Sequence, residues 1–177
     1  MRIIAGLAKG CALSGPGDEK IRPTPDKVRQ ALFNIINADG SVFLDLFAGT
    51  GAVGCEALSR GASAVTMVDS RKSSLEIIKK NAEKTVRAAQ AGVRPLIVRA
   101  DAEEFVHDSK VKYDFIFCDP PYEWDGKSRL IDAILDGGIL KGEGALIFEC
   151  AFRDAGEIVR EPRALKRYGD TALLFFG

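Results

Sequence analysis

Only one histidine, His107, occurs among the 177 residues of the chain. It stands beside Asp108 at the end of an expected helix, where a capping or surface role is anticipated, and no histidine-based triad can be assembled around it. Cysteine is sparse as well. Cys11, Cys55, Cys118 and Cys150 form no C-x-x-C pair, so their spacing indicates neither zinc nor a redox motif. Two of them fall in expected buried strands, where cysteine acts as a small hydrophobe, and reduced thiols suit a cytoplasmic protein. No apolar run approaches membrane-spanning length. The opening Met1-Arg2-Ile3-Ile4 is interrupted by Gly6 and Lys9, so no signal peptide is expected. An excess of one charge is also missing: 25 basic and 25 acidic residues leave a net charge of zero, which argues against a protein that coats nucleic acid indiscriminately.

The chain has the length of one domain with a full core, and it shows no internal repeat, low-complexity tract or dividing linker. Apolar strand runs alternate with helical segments, the pattern of an α/β layered fold. Strands are expected near 42–46, 64–69, 94–98, 113–118 and 144–150. Helices are expected near 26–37, 52–60, 71–89, 101–107 and 127–136. The end of the chain, Ala164 to Phe176, reads as a hairpin turning at Gly169-Asp170. Residues 1–37 read as a basic arm and helix packed on the core, and residues 38–177 as one compact unit.

Directly after the apolar run Tyr113 to Cys118 comes Asp119-Pro120-Pro121-Tyr122. Each proline fixes its own φ, removes a donor and pushes the preceding residue away from helix. The carbonyls of Asp119 and Pro120 therefore face no proline N–H and can accept from a ligand. A planar amino group on an aromatic base needs acceptors for its hydrogens and a flat surface to stack on, and this motif offers both. A bare Pro-Pro-Tyr is more often an ordinary turn after a strand. The segment from Val42 to Leu58 changes that balance. It places Gly49, Gly51 and Gly54 after an apolar strand and at the opening of a helix, with Asp69 twenty residues beyond Gly49, the required context for G-x-G-x-x-G.

That spacing serves dinucleotides and S-adenosylmethionine alike. Asp45 discriminates, because a carboxylate there can pair with a ligand's ammonium and would repel a pyrophosphate. Asp69, at the tip of the second strand, can accept both ribose hydroxyls; with Ser70 it could instead cap the next helix. Asp101 can take an adenine amino group or cap the helix that starts at Ala102, and these readings are balanced. Asp45, Asp69, Asp101 and Asp119 all fall at carboxyl ends of expected strands, the edge at which open parallel sheets bind ligands.

With these motifs in place the chain resembles the class I S-adenosylmethionine-dependent methyltransferases, and more closely the bacterial 16S ribosomal RNA guanine-N2 methyltransferase family. The resemblance runs over nearly all of the chain. It includes Met1-Arg2-Ile3-Ile4-Ala5-Gly6, Lys9-Gly10, Arg22-Pro23-Thr24, Asp26-Lys27-Val28-Arg29, Asp45-Leu46-Phe47-Ala48-Gly49-Thr50-Gly51, Glu56 to Ala62, and Asp119 to Tyr122. The Asp-Pro-Pro-Tyr motif is shared with amino-methyltransferases of DNA, whereas the amino-terminal segments point to the ribosomal family. One departure is that Lys9 lacks the further basic residues common in that opening. The resemblance implies a Rossmann-like sheet of seven strands, mostly parallel, with an antiparallel carboxyl-terminal hairpin.

It also implies methyl transfer from S-adenosylmethionine to the exocyclic amine of a guanine. Asp119, Pro120 and Tyr122 would carry the chemistry. Asp45, Ala48, Gly49, Thr50, Gly51, Asp69, Ser70, Asp101, Ala102 and Asp119 would hold the donor. The implied partner is 16S ribosomal RNA or the small ribosomal subunit, met by a monomer without metal or membrane. Within residues 1–37, Arg2, Lys9, Lys20, Arg22, Lys27 and Arg29 outnumber Asp18, Glu19 and Asp26, so Arg2, Lys9, Arg22, Lys27 and Arg29 are the expected phosphate contacts. A DNA adenine or cytosine amino-methyltransferase is the alternative, though such enzymes usually carry a target-recognition domain. An NAD-dependent oxidoreductase fits less well, for neither His107 nor a Tyr-x-x-x-Lys arrangement supplies a proton donor.

Overall fold

A computed structural model of the chain describes residues 1–15 and 25–177. Strands β1 (Val42–Leu46), β2 (Ala64–Asp69), β3 (Leu96–Arg99), β4 (Tyr113–Cys118), β5 (Leu140–Ala151), β6 (Ala164–Tyr168) and β7 (Thr171–Phe176) form one sheet in the order β3-β2-β1-β4-β5-β7-β6. The first five strands pair in parallel, and β7 pairs antiparallel with both β5 and β6. This is the expected mostly parallel sheet with an antiparallel carboxyl-terminal hairpin, and the hairpin turns at Gly169, whose φ of 64° suits glycine.

Helices α1 (Asp26–Ile35), α2 (Ala52–Ser59) and α3 (Lys72–Ala89) cover one face of the sheet, and α4 (Ala102–Asp108) and α5 (Lys127–Asp136) cover the other. The inner strands β1, β2, β4 and β7 and the second half of β5 are largely buried on both faces, so their residues are shared between two apolar clusters. The edge strands β3 and β6 are partly exposed. Phe43, Val65, Met67, Phe117 and Ile147 join the first, while Leu44, Leu46, Val68, Ile116 and Leu146 join the second. Helix α3 buries Leu75, Ile78, Ala82, Thr85 and Ala89, the three- and four-residue spacing of one helical face. It stops where Gln90 turns left-handed, at φ 50°.

Three element ends depart from the expected limits by more than one residue. Helix α1 stops at Ile35 rather than 37, because Ile36 turns extended and buries its side chain. Strand β3 begins at Leu96 rather than 94, since Pro95 cannot donate to the ladder. Strand β5 starts at Leu140, four residues before the expected 144, paired through Tyr113 across an irregular step. Its opening Lys141-Gly142-Glu143-Gly144 is too polar and glycine-rich to read as strand. No helix among the described residues is long and apolar enough to cross a membrane.

Residues 4–8 lie along α2, and Ala12 and Ser14 reach α3. Glu56, wholly buried within that helix, accepts the N–H groups of Ile4 (2.8 Å) and Ala5 (3.0 Å) and the guanidinium of Arg60 (2.8 Å). Ser59 Oγ accepts from the Ala8 N–H at 2.9 Å and donates to the Ala5 carbonyl at 2.6 Å. Gly6 lies so close to α2 that a Cβ there would sit 1.9 Å from the Ser59 carbonyl oxygen. Only glycine fits.

Candidate active site

Strand β1 is flanked by β2 on one side and β4 on the other, so its carboxyl end is the topological switch point of the sheet. Leu46 pairs with Val68 and with Cys118. The residues that follow, Phe47, Asp69 and Asp119, therefore rise together at one edge, with Asp45 one step inside it.

Asp45 is buried, and its Oδ2 accepts the Gly54 N–H at 2.8 Å, inside the first turn of α2. Asp69 reaches across from β2: its Oδ2 accepts the Gly49 N–H at 2.9 Å, and its Oδ1 accepts the Arg71 N–H at 2.9 Å. The glycine loop is thus laced to the sheet by two carboxylates. Gly51, at φ 72°, opens α2, and a Cβ there would press on Met67 and Ile78 at 3.1–3.3 Å. Ala48 donates to the Val68 carbonyl at 2.9 Å and accepts from the Gly51 N–H at 2.6 Å. Thr50 is buried; its carbonyl accepts the side-chain amide of Asn81 at 2.9 Å.

The positive end of α2 is consequently filled from within by Asp45. Burial is the main cause that pushes the Asp45 carboxyl up to about 7; the Gly54 bond opposes it, and the charges of Asp119 and Asp69 add to it. Several carboxylates crowding one edge favour a ligand that brings positive charge.

The remaining expected site residues divide. Asp101 caps α4, accepting from the N–H groups of Glu103 (2.8 Å) and Glu104 (3.3 Å), so the capping role is the one the geometry displays. Ala102 places its methyl in the apolar cluster under α4. Ser70 is exposed, and its carbonyl accepts from Arg99 at 3.2 Å. Pro120 is buried, whereas Pro121 and Tyr122 are exposed. The Pro121 carbonyl accepts the Trp124 N–H at 2.9 Å. Trp124 then meets Phe47 edge-on at 5.1 Å between ring centroids. Phe47 holds a left-handed φ of 58°, uncommon for an aromatic residue, so a strained residue of the glycine loop packs against the loop that carries Asp119.

Among the expected phosphate contacts, Arg2, Lys9 and Lys27 line an open groove of about 470 Å³ together with Asp26 and Gln30. Arg22 lies outside the described residues. Arg29 must be corrected. Its side chain is wholly buried, donates to the Arg2 carbonyl at 2.6 Å and to Asp26 at 3.0 Å, and stands 3.6 Å from Glu56. Its charge is committed to a buried carboxylate and is withdrawn from solvent.

Three contributors were invisible in the sequence. Asn81 joins Ser14 (2.7 Å to its N–H, 3.0 Å to its carbonyl) to Thr50 of the glycine loop. Glu149 is a buried acid directly after Phe148, the strand partner of Cys118. Nothing in the local spacing of Trp124 separates it from a surface loop residue. Cys118 lies beneath the same edge; burial, with Asp45 and Asp119 beside it, pushes its thiol well up, so it stays unreactive.

The family model described as Conserved hypothetical protein 95 matches residues 1–177. The chain belongs to that family. It is 36% identical over 155 residues to the ribosomal RNA small subunit methyltransferase D of Escherichia coli K12, spanning 84% of this chain and 74% of that protein. To the protein of the same name in Haemophilus influenzae it is 31% identical over 180 residues, spanning 99% and 91% of the two chains. Among solved structures, a hypothetical protein of Thermus thermophilus superposes with a TM-score of 0.82 at 28% identity, covering 99% of this chain and 98% of that one. SMU.776, solved in complex with SAH, shares the fold at a TM-score of 0.67 and 20% identity, over 84% of this chain and 48% of its own. The chain has the Rossmann-like fold of class I methyltransferases that the resemblance implied.

Proposed function

We propose that this protein transfers a methyl group from S-adenosylmethionine to the exocyclic N2 of a guanine in 16S ribosomal RNA. One observation carries the reading: Asp119-Pro120-Pro121-Tyr122 stands at the switch point beside a glycine loop whose helix end is already occupied by Asp45. A dinucleotide would need that helix end for its pyrophosphate. S-adenosylmethionine brings an ammonium and a sulfonium instead, and the carboxylates of Asp45, Asp69 and Asp119 suit both. The relatives named as small-subunit ribosomal RNA methyltransferases, and the fold neighbour that holds SAH, support the donor and the RNA class. The motif supports an exocyclic amine as acceptor, and guanine as its base rests on the family resemblance carried by the amino-terminal segments.

Asp69 would accept the ribose hydroxyls with whatever capacity the Gly49 bond leaves, and the backbone of Ala48 to Gly51 would border the donor. When bound, the donor supplies an activated methyl group. The guanine amine is a poor nucleophile, because its lone pair is delocalised into the ring. Asp119 and the Pro120 carbonyl would accept hydrogen bonds from the two amine hydrogens and turn the lone pair towards the methyl group, and the methylated amine then releases one of those protons. Tyr122, 40% exposed, would stack on the base once it has left its own helix or loop. The gain comes from orientation and electrostatics.

Titration calorimetry tests the donor, and labelled-methyl transfer tests the acceptor. S-adenosylmethionine should bind and raise the melting temperature, as any ligand specific to the folded state does, while NAD should do neither. Naked 16S RNA, a protein-bound particle and the assembled small subunit are the three acceptors to compare, with the modified nucleoside identified after digestion. Tight NAD binding without any response to the methyl donor would overturn the reading.

A further inference from the structure

Beside the loop of Asp119, Phe152, directly after β5, and Arg167, near the end of β6, form an exposed aromatic–cation pair with no assigned role. We infer that Phe152 and Arg167 form a docking station for a single-stranded RNA nucleotide next to the one that enters the active site; this rests on the proposed function.

The position follows from register. Phe148 pairs with Cys118, so Phe152, four residues further along the chain from that level, stands roughly 13 Å beyond it at ~3.3 Å per residue. Asp119 is one residue beyond the same level, on the neighbouring strand. The β6–β7 turn rises at this edge too, because Tyr168 pairs with Thr171 and Thr171 with Ala151. Phe152 donates its N–H to the Asp170 carbonyl at 2.7 Å, which pins it to that turn. The wall is also fastened to the motif loop. Lys127, which begins α5 shortly after Tyr122, lies 3.6 Å from Asp154, and both side chains are largely buried.

The chemistry suits an RNA base and its phosphate. The Arg167 guanidinium lies 4.0 Å over the Phe152 ring, and its Nε donates to the Gly169 carbonyl at 2.9 Å, so its plane is set in advance. Phe152 keeps 37% exposure even with that cover. A stacked guanidinium and ring present flat surface to a base of any identity, which is how sequence-tolerant single-strand sites bind. Arg153, its side chain 84% exposed, adds a second guanidinium beside the pair, with its Nε bonded to Asp154 at 3.2 Å. An apolar protein partner would gain little from a surface that is half guanidinium. A target base drawn out of its helix leaves its neighbours unstacked, and these need a new surface.

The test is anisotropy titration of a short single-stranded oligoribonucleotide without methyl donor, paired with methylation kinetics on the ribosomal substrate. Phe152→Ala and Arg167→Ala should each weaken oligonucleotide binding about tenfold, within the range that stacking contacts contribute. Phe152→Trp should restore binding and Phe152→Leu should not, which separates stacking from simple packing. KM for the RNA should rise in the Ala variants with kcat and S-adenosylmethionine affinity unchanged. Wild-type oligonucleotide affinity in both Ala variants, at unchanged melting temperature, would overturn the inference. So would rescue by Leu. Because the binding assay needs no turnover, it decides the matter even if methyl transfer to guanine proves wrong.

Discussion

Asp45 accepts the backbone N–H of Gly54 at 2.8 Å, and with that bond the end of α2 is occupied by the protein's own carboxylate. The motif around it has the spacing of a phosphate-binding loop. Its donors at Gly49 and Gly54 are already engaged by Asp69 and Asp45, so the loop is built to receive a ligand along its rim and not an anion at its centre.

The Asp45 carboxyl, pushed up to about 7 by burial against an ordinary 3.8, makes the unliganded protein sensitive to pH. Between those values the folded state holds a proton that the unfolded chain has released. Its contribution to stability is therefore fully present below pH 3.8 and is lost as pH rises through about 7, a fall on the order of a few kcal/mol. Urea unfolding of wild type and Asp45→Asn across this window should show the slope in the first and a flatter profile in the second, since asparagine keeps an acceptor for Gly54. Donor binding near pH 7 should also release a proton, read by calorimetry in buffers of different ionisation enthalpy. If Asp45→Asn bound the donor as well as wild type, pairing with the ligand's ammonium would be ruled out.

Chemistry and donor binding should separate at Asp119 and Asp69. Asp119→Ala removes an acceptor for the target amine and should lower the single-turnover rate by about 10²-fold or more, with at most a modest loss of donor affinity. Asp69→Asn leaves one oxygen for Gly49 or Arg71 and should weaken donor binding first. A normal single-turnover rate in Asp119→Ala would remove the motif from the mechanism.

The basic residues near the amino terminus should behave as two groups. Charge reversal at Arg2 and Lys9, which face the open groove, should weaken RNA binding across sequences and flatten its salt dependence by roughly one unit of slope per lost phosphate contact. Lys27 belongs with them. Arg29→Ala should instead destabilise the fold by about 3–5 kcal/mol, the cost of leaving a buried partner charge poorly compensated; Arg60, still on Glu56 at 2.8 Å, places it at the lower end. Denaturant unfolding beside salt-dependent RNA binding distinguishes the groups. A folded Arg29→Ala with intact stability and a flattened salt slope would return Arg29 to the RNA surface.

Most of the secondary structure was legible in the chain, because burial leaves a local trace. A strand covered on both faces must be a short apolar run, and a helix on a sheet must repeat its apolar positions every three or four residues. Four acids at the ends of such runs were visible for the same reason, as was the hairpin turn at Gly169-Asp170. Their roles were not. That Asp101 caps a helix depends on which N–H groups the fold brings to it, and Glu103 and Glu104 both reach its Oδ1. Arg29 looked like its exposed neighbours until the fold set it against Glu56, far along the chain on another helix. Ser14 and Asn81 are 67 residues apart, and no spacing rule joins them. Periodicity reports how deeply a residue is buried, since that is repeated within its own segment. Which partner it meets is decided by how distant segments close upon one another, and only the assembled sheet brought Asp45, Asp69 and Asp119 to one edge.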